Sequence, residues 1–348
     1  MQVLNGGPFT RTTFALAAVV AAVLAGLGSA AAQQTVLRFS LDSKIEGPAA
    51  PFLVAIDKGY FKAEGLDVAV DPATSAVEPI NRVASGAYDM GVADINALIK
   101  YRDANPAKVI KAVFMVYNKP AFAIISRKSR GVQQPKDLEG KTLGAPAADL
   151  TFAQWKIFAQ ANGIDTAKVK IENIGFPVRD PMLQNGQVDA ITGLSFVSAV
   201  NLKAMGVPVD DIVVMLMADY GVELYGNTIM VGPRFAAEKP EAVKGFLRAL
   251  VKGLRDTVRN PSAAVDSVLK RNDGAKKPVE LERLRMAIHD NILTAEVKAN
   301  GYGGIDPARL AKAIDQLAIA YDFKNGKPKP ADAFDSAFLP PAEARQVK

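Results

Sequence analysis

Two rhythms of apolar positions take turns along this chain. From Val36 to Leu41 the residues read as a strand, and from Ala49 to Lys58 as a helix closing at Gly59-Tyr60-Phe61. After Glu64-Gly65-Leu66-Asp67 comes an alternating strand, Val68-Ala69-Val70, then a short helix through Ile80 and Val83. That helix ends at Ser85-Gly86-Ala87-Tyr88-Asp89, and the apolar run Met90 to Ala93 predicts a further strand.

The same order returns further along. Thr142-Leu143-Gly144 reads as a strand, and Phe152 to Ala161 as a helix with Phe152, Trp155 and Ala159 on one face. Asn162-Gly163-Ile164-Asp165 echoes Glu64-Gly65-Leu66-Asp67, and the strand Val169 to Ile174 follows. Asn185-Gly186-Gln187-Val188-Asp189 then leads into Ala190-Ile191-Thr192, so Gly86-x-x-Asp89 and Gly186-x-x-Asp189 stand 100 residues apart. Each Gly suits a left-handed helix C-cap, and each Asp suits the turn into the next strand. Such punctuation is common to α/β chains, but the doubled order predicts two α/β lobes with largely parallel sheets. The rest reads as helical. Glu241 to Asn260 carries Val243, Phe246, Leu247, Leu250, Val251, Leu254 and Val258 on one stripe, and Asp306-Pro307 caps a helix through Leu310, Ile314 and Leu317. The Pro- and Lys-rich stretch from Asn325 is expected to wrap the surface.

Composition narrows the function. The 348 residues have room for two domains, and 49% hydrophobic with 22% charged residues excludes disorder and coiled coil. The net charge of +6 is spread among acidic neighbours, and the densest basic stretch, Lys252 to Lys277, lacks interleaved aromatics. That argues against a nucleic-acid partner. Residues 1–32 read as a signal peptide: Arg11, an apolar run from Phe14 to Leu27, then small residues with cleavage near Ala32-Gln33. A single N-terminal anchor is the other reading, although the run is short for a span. The expected location is the periplasm, with no membrane insertion after cleavage. With no Cys, the chain has no lipid-anchoring Cys, disulfide, thiolate chemistry or Cys-held metal.

One segment has a more specific likeness. Pro51-Phe52-Leu53-Val54-Ala55-Ile56-Asp57-Lys58-Gly59-Tyr60-Phe61-Lys62-Ala63-Glu64-Gly65-Leu66-Asp67-Val68 closely resembles the opening of substrate-binding proteins of ABC importers, of the nitrate/sulfonate/taurine and thiamine-precursor types. Ser85 to Gly91, Asp137 to Gly144, Gly186 to Ala190 and Lys239-Pro240-Glu241-Ala242-Val243 extend the likeness over the mature chain. The resemblance implies an α/β, type II-like periplasmic-binding-protein fold. Two lobes would be joined by two crossover strands, near Asn118 to Ile125 and Gly226 to Val231, with the helical C-terminal region packed on lobe 1. Residues 33–120 and 226–348 would form lobe 1, and residues 121–225 lobe 2. A monomer would close on a small ligand and pass it to a membrane permease with its ATPase, using no cofactor.

Ligands of open α/β sheets sit beyond the carboxyl ends of the strands. That rule nominates the loops 42–48, 71–78, 94–96, 145–152, 175–181 and 194–196, with 220–227 at the second crossing. The candidate ligand-binding residues are Asp42, Glu46, Asp94, Asn96, Asp149, Phe152, Trp155, Arg179, Asp180, Tyr225 and Asn227; Glu223 is a further carboxylate and Lys44 a second cation. Frequent carboxylates beside Phe122, Phe152, Trp155, Tyr220 and Tyr225 suit an amino-substituted ring, as in a thiamine-precursor pyrimidine, better than a bare anion. A sulfonate, taurine or nitrate ligand is the alternative, through helix N-termini and Arg179. Blander roles fit as well. Asp42, Asp149 and Asp180 suit helix caps, Trp155 suits a core, Arg179 can pair with Asp180, and Tyr225-Gly226-Asn227 suits a hinge. Tyr101 and Tyr117 read as packing residues.

Catalysis has few tools here. The one imidazole, His289, lies at the edge of the apolar stripe Leu281, Leu284, Ile288 and Ile292, away from the strand-end loops. No Ser–His arrangement, metal-ligand cluster or phosphate loop is evident. A fungal branch of the resembled family makes the thiamine pyrimidine with His and a Cys-rich motif, and this chain lacks Cys. The chain therefore reads as a binder and not an enzyme. A periplasmic ligand sensor, or an enzyme using a pair such as Asp180 and Glu223, are the competing classes.

Overall fold

The computed structural model describes residues 1–2 and 34–347, so all but the first two residues of the expected signal peptide lie outside the described residues. No helix among the described residues is long and apolar enough to cross a membrane.

The first lobe begins with β1 (Thr35–Ser40), whose alternation buries Leu37 and Phe39. Helix α1 (Ala50–Asp57) follows, then β2 (Leu66–Asp71), α2 (Glu78–Ala84), β3 (Met90–Asp94), α3 (Ile95–Ala104) and β4 (Lys111–Met115). The chain then crosses to a second sheet: β5 (Phe122–Arg127), β6 (Thr142–Ala145), α4 (Trp155–Ala161), β7 (Lys170–Asn173), α5 (Phe176–Gln184), β8 (Ala190–Leu194), α6 (Ser195–Ala204) and β9 (Ile212–Leu216). It returns to the first sheet as β10 (Asn227–Val231) and continues into α7 (Pro240–Arg259), α8 (Pro261–Leu269), α9 (Lys277–Ala287) and α10 (Pro307–Ala320).

The sheets run β2-β1-β3-β10-β4 and β7-β6-β8-β5-β9. In each, four strands run parallel and the strand carried over from the other lobe, β10 or β5, lies antiparallel in fourth place. The doubled sequence pattern has a bonded counterpart. Asp89 accepts the Arg38 amide at 2.8 Å through its carboxylate and donates its own amide to the Arg38 carbonyl at 3.1 Å. Asp189 repeats both bonds with Thr142, at 2.9 and 3.0 Å. Both aspartates thus close a helix–turn–strand unit onto the first parallel strand of its lobe.

Helix α7 buries the predicted stripe from Val243 to Leu254, with Val258 half-buried, and Phe246 stacks on Phe39 and Phe61 at 5.0 and 4.8 Å between centroids. At Gly253 the helix comes so close to Pro51 and Ala55 of α1 that a Cβ would strike the Pro51 carbonyl. Helix α8 also packs on α1, while α9 lies between α8 and α6 of the second lobe. The last long helix spans both lobes. Leu310, Ile314 and Leu317 of α10 share one buried cluster with Trp155 and Phe158 of α4 and with Ile95 and Leu98 of α3. The stretch after Asn325 does more than wrap the surface: Phe334 is buried and bridges Ala112 at the edge of the first sheet.

The connecting stretches are residues 116–121 and 217–226, and the crossings expected from sequence overlap the strands that receive them, β5 and β10. The stretches lie back to back. Gly226 donates to the Tyr117 carbonyl at 3.0 Å, and a Cβ on Gly226 would come within 2.9 Å of Pro120 Cα and 3.0 Å of Tyr117 Cβ. Close approach, and not only dihedral freedom, therefore requires glycine here.

Candidate ligand-binding site

A cavity of about 570 Å³ lies between the lobes, in the size range of small-molecule sites. Its walls come from the ends of, or the segments after, β1, β2, β3, β6, β7 and β8, from both crossings and from α9. Of the expected residues, Asp42, Glu46, Asp94, Asp149, Arg179, Asp180 and Asn227 line it, as does Lys44.

On the first-lobe side, Asn227 at the start of β10 donates to Asp42 Oδ2 at 2.6 Å. Burial pushes the Asp42 carboxyl above its usual range, against the opposing effect of that hydrogen bond. Asp94 caps α3 by accepting the Ala97 amide at 2.9 Å, and burial raises its carboxyl to about 7. Glu46 is also raised, by burial first, with Arg283 opposing the shift. Tyr117 packs edge-on against Phe196, and burial, helped by Asp42, keeps its phenol neutral well beyond the normal range.

The second-lobe side is more rigidly bonded. Asp149 accepts from the Thr151 amide at 3.0 Å and the Thr192 hydroxyl at 2.6 Å. Arg179 donates to Asp180 at 3.0 Å and to Ser198 at 2.8 Å, while Asn201 donates to the other Asp180 oxygen at 2.7 Å. Asp180 sits inside α5 and not before it. The helix runs through Pro181 and forgoes the bond that an N–H there would make to the Pro177 carbonyl.

Four expected residues fall elsewhere. Asn96 turns inward and donates to the Tyr225 carbonyl at 2.7 Å, tying α3 to the second crossing. Phe152 and Trp155 face the apolar cluster shared with α10, and Trp155 lies 6.1 Å from Phe158. Tyr225 is buried beneath the Arg309 guanidinium at 4.0 Å, with its hydroxyl donating to Glu296 at 2.8 Å. Each lies on the side of its element turned from the cavity. Of the further candidates, Glu223 is half-exposed and pairs with Lys312, and Tyr220 packs edge-on against Phe158. Neither lines the cavity.

Phe176 and Phe196, in the nominated loops 175–181 and 194–196, line the cavity too, whereas sequence reasoning missed Tyr117, Asn201 and Arg283, which also line it. Arg283 comes from α9, far from any strand end, and donates to Glu280 at 2.7 Å and to Asn201 at 2.8 Å, with Glu46 at 3.4 Å. No periodicity signals it; only its burial beside three polar partners does. His289 is 89% exposed at its side chain and lies outside the cavity lining.

Taken together, five carboxylates and three cationic side chains line the cavity, with Phe52, Tyr117, Phe122, Phe176 and Phe196 as aromatic wall. Arg179 and Arg283 are already engaged by carboxylates, whereas Asp42 and Asp94 meet only neutral donors. The arrangement offers acceptors to a ligand's N–H groups and flat faces to its ring.

Comparison with known proteins agrees with this architecture. The chain is 29% identical over 292 residues to the formylaminopyrimidine-binding protein of Halalkalibacterium halodurans, covering 81% of this chain and 84% of that one. It is 30% identical to the riboflavin-binding protein RibY of Chloroflexus aurantiacus, over 68% of this chain and 66% of that one. It is 24% identical to the 4-amino-5-hydroxymethyl-2-methylpyrimidine phosphate synthase of Schizosaccharomyces pombe, over 61% of this chain and 62% of that one. The crystal structure of the periplasmic aliphatic sulphonate binding protein SsuA from Escherichia coli superposes with a TM-score of 0.69 at 12% identity, over 85% of this chain and 91% of that one. The family model described as NMT1/THI5 like matches residues 48–264. With the periplasmic-binding-protein fold of two five-stranded sheets, the chain belongs to the NMT1/THI5-like family.

Proposed function

We propose that this chain is the extracytoplasmic solute-binding protein of an ABC importer, holding an amino-substituted heterocycle of the aminopyrimidine kind between its lobes. The observation that carries the ligand class is the pair of cavity carboxylates, Asp42 and Asp94, which burial raises and whose hydrogen-bond donors are neutral, Lys100 acting on Asp94 only as a charge that opposes the shift. A buried carboxyl of that kind is stabilised by a ligand N–H or cation and opposed by a sulfonate or nitrate. The formylaminopyrimidine-binding relative points to the same class, and the riboflavin-binding relative to a larger heterocycle. On this reading Asp42, Asp94 and Asn227 meet the polar edge of the ring. Asp149, Arg179 and Asp180 face its far side, with Glu46 at the mouth. The protein works in the periplasm, and its closed form docks on a membrane permease that has an ATPase.

A sulfonate is the second reading, favoured by the two guanidinium groups of Arg179 and Arg283 at the cavity. Their existing carboxylate partners weigh against it. An enzymatic role like that of the synthase relatives would need acid–base groups from the carboxylates, since neither His nor Cys lines the cavity.

A melting screen of the mature protein against aminopyrimidines, flavins, alkanesulfonates, taurine and nitrate tests this. A ligand at a hundred times its Kd adds about 2.7 kcal/mol of stability. Shifts confined to sulfonates or nitrate would remove the carboxylate argument.

A further inference from the structure

We infer that Asn201 and Arg283 form a closure latch between the lobes, acting as positioning residues that set how tightly the cavity holds its ligand; this rests on the proposed binding function. Helix α6, which carries Asn201, packs on β5, β8 and β9 of the second lobe. Helix α9, which carries Arg283, packs on α8 and on the turn at residues 47–49 of the first lobe. Nothing covalent links α6 to α9 except the distant crossings, so their contact reports the closed arrangement.

The latch joins two polar systems that each line the cavity. Arg283 Nη2 donates to Asn201 Oδ1 at 2.8 Å, and Asn201 Nδ2 donates to Asp180 Oδ2 at 2.7 Å. Asp180 holds Arg179 and Ser198, while Arg283 holds Glu280, whose second oxygen accepts the Gly47 amide at 2.6 Å. A continuous chain of polar contacts therefore runs from the loop after β1 to α5. A carboxamide suits its centre, because that point must accept from a guanidinium and donate to a carboxylate at once. At the rim, Lys203 pairs with both oxygens of Glu282 at 2.9 Å, one helical turn or less from the buried link.

The lever arm makes the link sensitive to closure. Asn291, just past α9, exchanges hydrogen bonds with Lys119 of the first crossing, at 3.3 and 3.2 Å. Arg283 stands eight residues earlier, about 12 Å along a helix axis. A hinge rotation of roughly 15° moves a point at that distance by about 3 Å, enough to break a hydrogen bond. The latch is therefore made when the lobes are closed and lost when they part.

The absence of Cys allows two labels to be placed uniquely. Asp67→Cys on β2 and Lys170→Cys on β7, both at exposed positions, carry a fluorophore pair for single-molecule distance measurement without ligand. Asn201→Ala is expected to lower the closed-to-open ratio about tenfold, the weight of one hydrogen bond to a charged group. Lys203→Glu, at an exposed site that does not threaten folding, is expected to open the lobes as well, and adding Glu282→Lys is expected to restore closure. An unchanged distance distribution in Asn201→Ala, or a charge swap that fails to restore closure, would overturn the latch. A failed ligand screen leaves this measurement standing and removes only the proposed function.

Discussion

Arg309 Nη2 donates to the carbonyl of Asn118 at 2.8 Å, and so fastens the last long helix to the first crossing. The same nitrogen reaches the Leu224 carbonyl of the second crossing at 2.9 Å, and Nη1 reaches Asn118 Oδ1 and Glu296. One planar guanidinium thus braces both connections between the lobes, a geometry that lysine cannot copy. Arg309→Ala is expected to cost about 2–4 kcal/mol in chemical denaturation, because it strands several partners at once. Arg309→Lys is expected to recover only a minor part. Loss of under about 0.5 kcal/mol, the ordinary range for a surface change, would show that the brace contributes nothing.

Asp94 predicts a pH signature. Its folded carboxyl is raised from 3.8 to about 7 by burial, so between these values the folded state binds the proton more tightly than the unfolded chain. The stabilisation is full at low pH, falls as pH rises through that window, and is gone above about 7. Asp94→Asn keeps a capping side chain on α3 and removes this slope. The difference in unfolding free energy between parent and variant, followed from pH 4 to 8, is expected to change by on the order of 3 kcal/mol. A pH-independent difference would contradict the assignment.

Gly226 is expected to tolerate no side chain. In Gly226→Ala the new methyl presses on Pro120 and Tyr117, and overpacking of this kind costs about 1–3 kcal/mol. A thermal melt identical to the parent's would mean that the crossings can separate freely.

Trp155 separates core from site. Trp155→Ala is expected to lower stability by about 3–5 kcal/mol through the cavity it leaves against Phe158 and α10. Where the variant is folded, its ligand affinity is expected to stay within a few-fold of the parent's. A large loss of affinity with unchanged stability would put the ring back in the site.

The sequence carried the fold further than the site. Strand–helix alternation and the two Gly-x-x-Asp turns announce both lobes, and Asp89 and Asp189 serve Arg38 and Thr142, 51 and 47 residues earlier, in the same way. The strand-end rule nominated loops that border the cavity, and Asp42, Asp94, Asp149 and Asp180 all reach it. What stayed hidden depends on long-range packing. Trp155 and Phe152 turn to α10 because Leu310, Ile314 and Leu317 cover that face, and nothing near residue 155 foretells a helix starting at Pro307. Arg283 reaches the cavity only because α9 folds back against α6.

Calorimetric titration of an aminopyrimidine and of an alkanesulfonate into the mature protein, with Asp42→Asn as control, bears most directly on the proposed function. The expected result is one-to-one binding of the aminopyrimidine, returned chemically unchanged, weakened about tenfold or more by Asp42→Asn, with no heat from the sulfonate. Saturable binding of the sulfonate, unweakened by Asp42→Asn, with none of the aminopyrimidine, would contradict it.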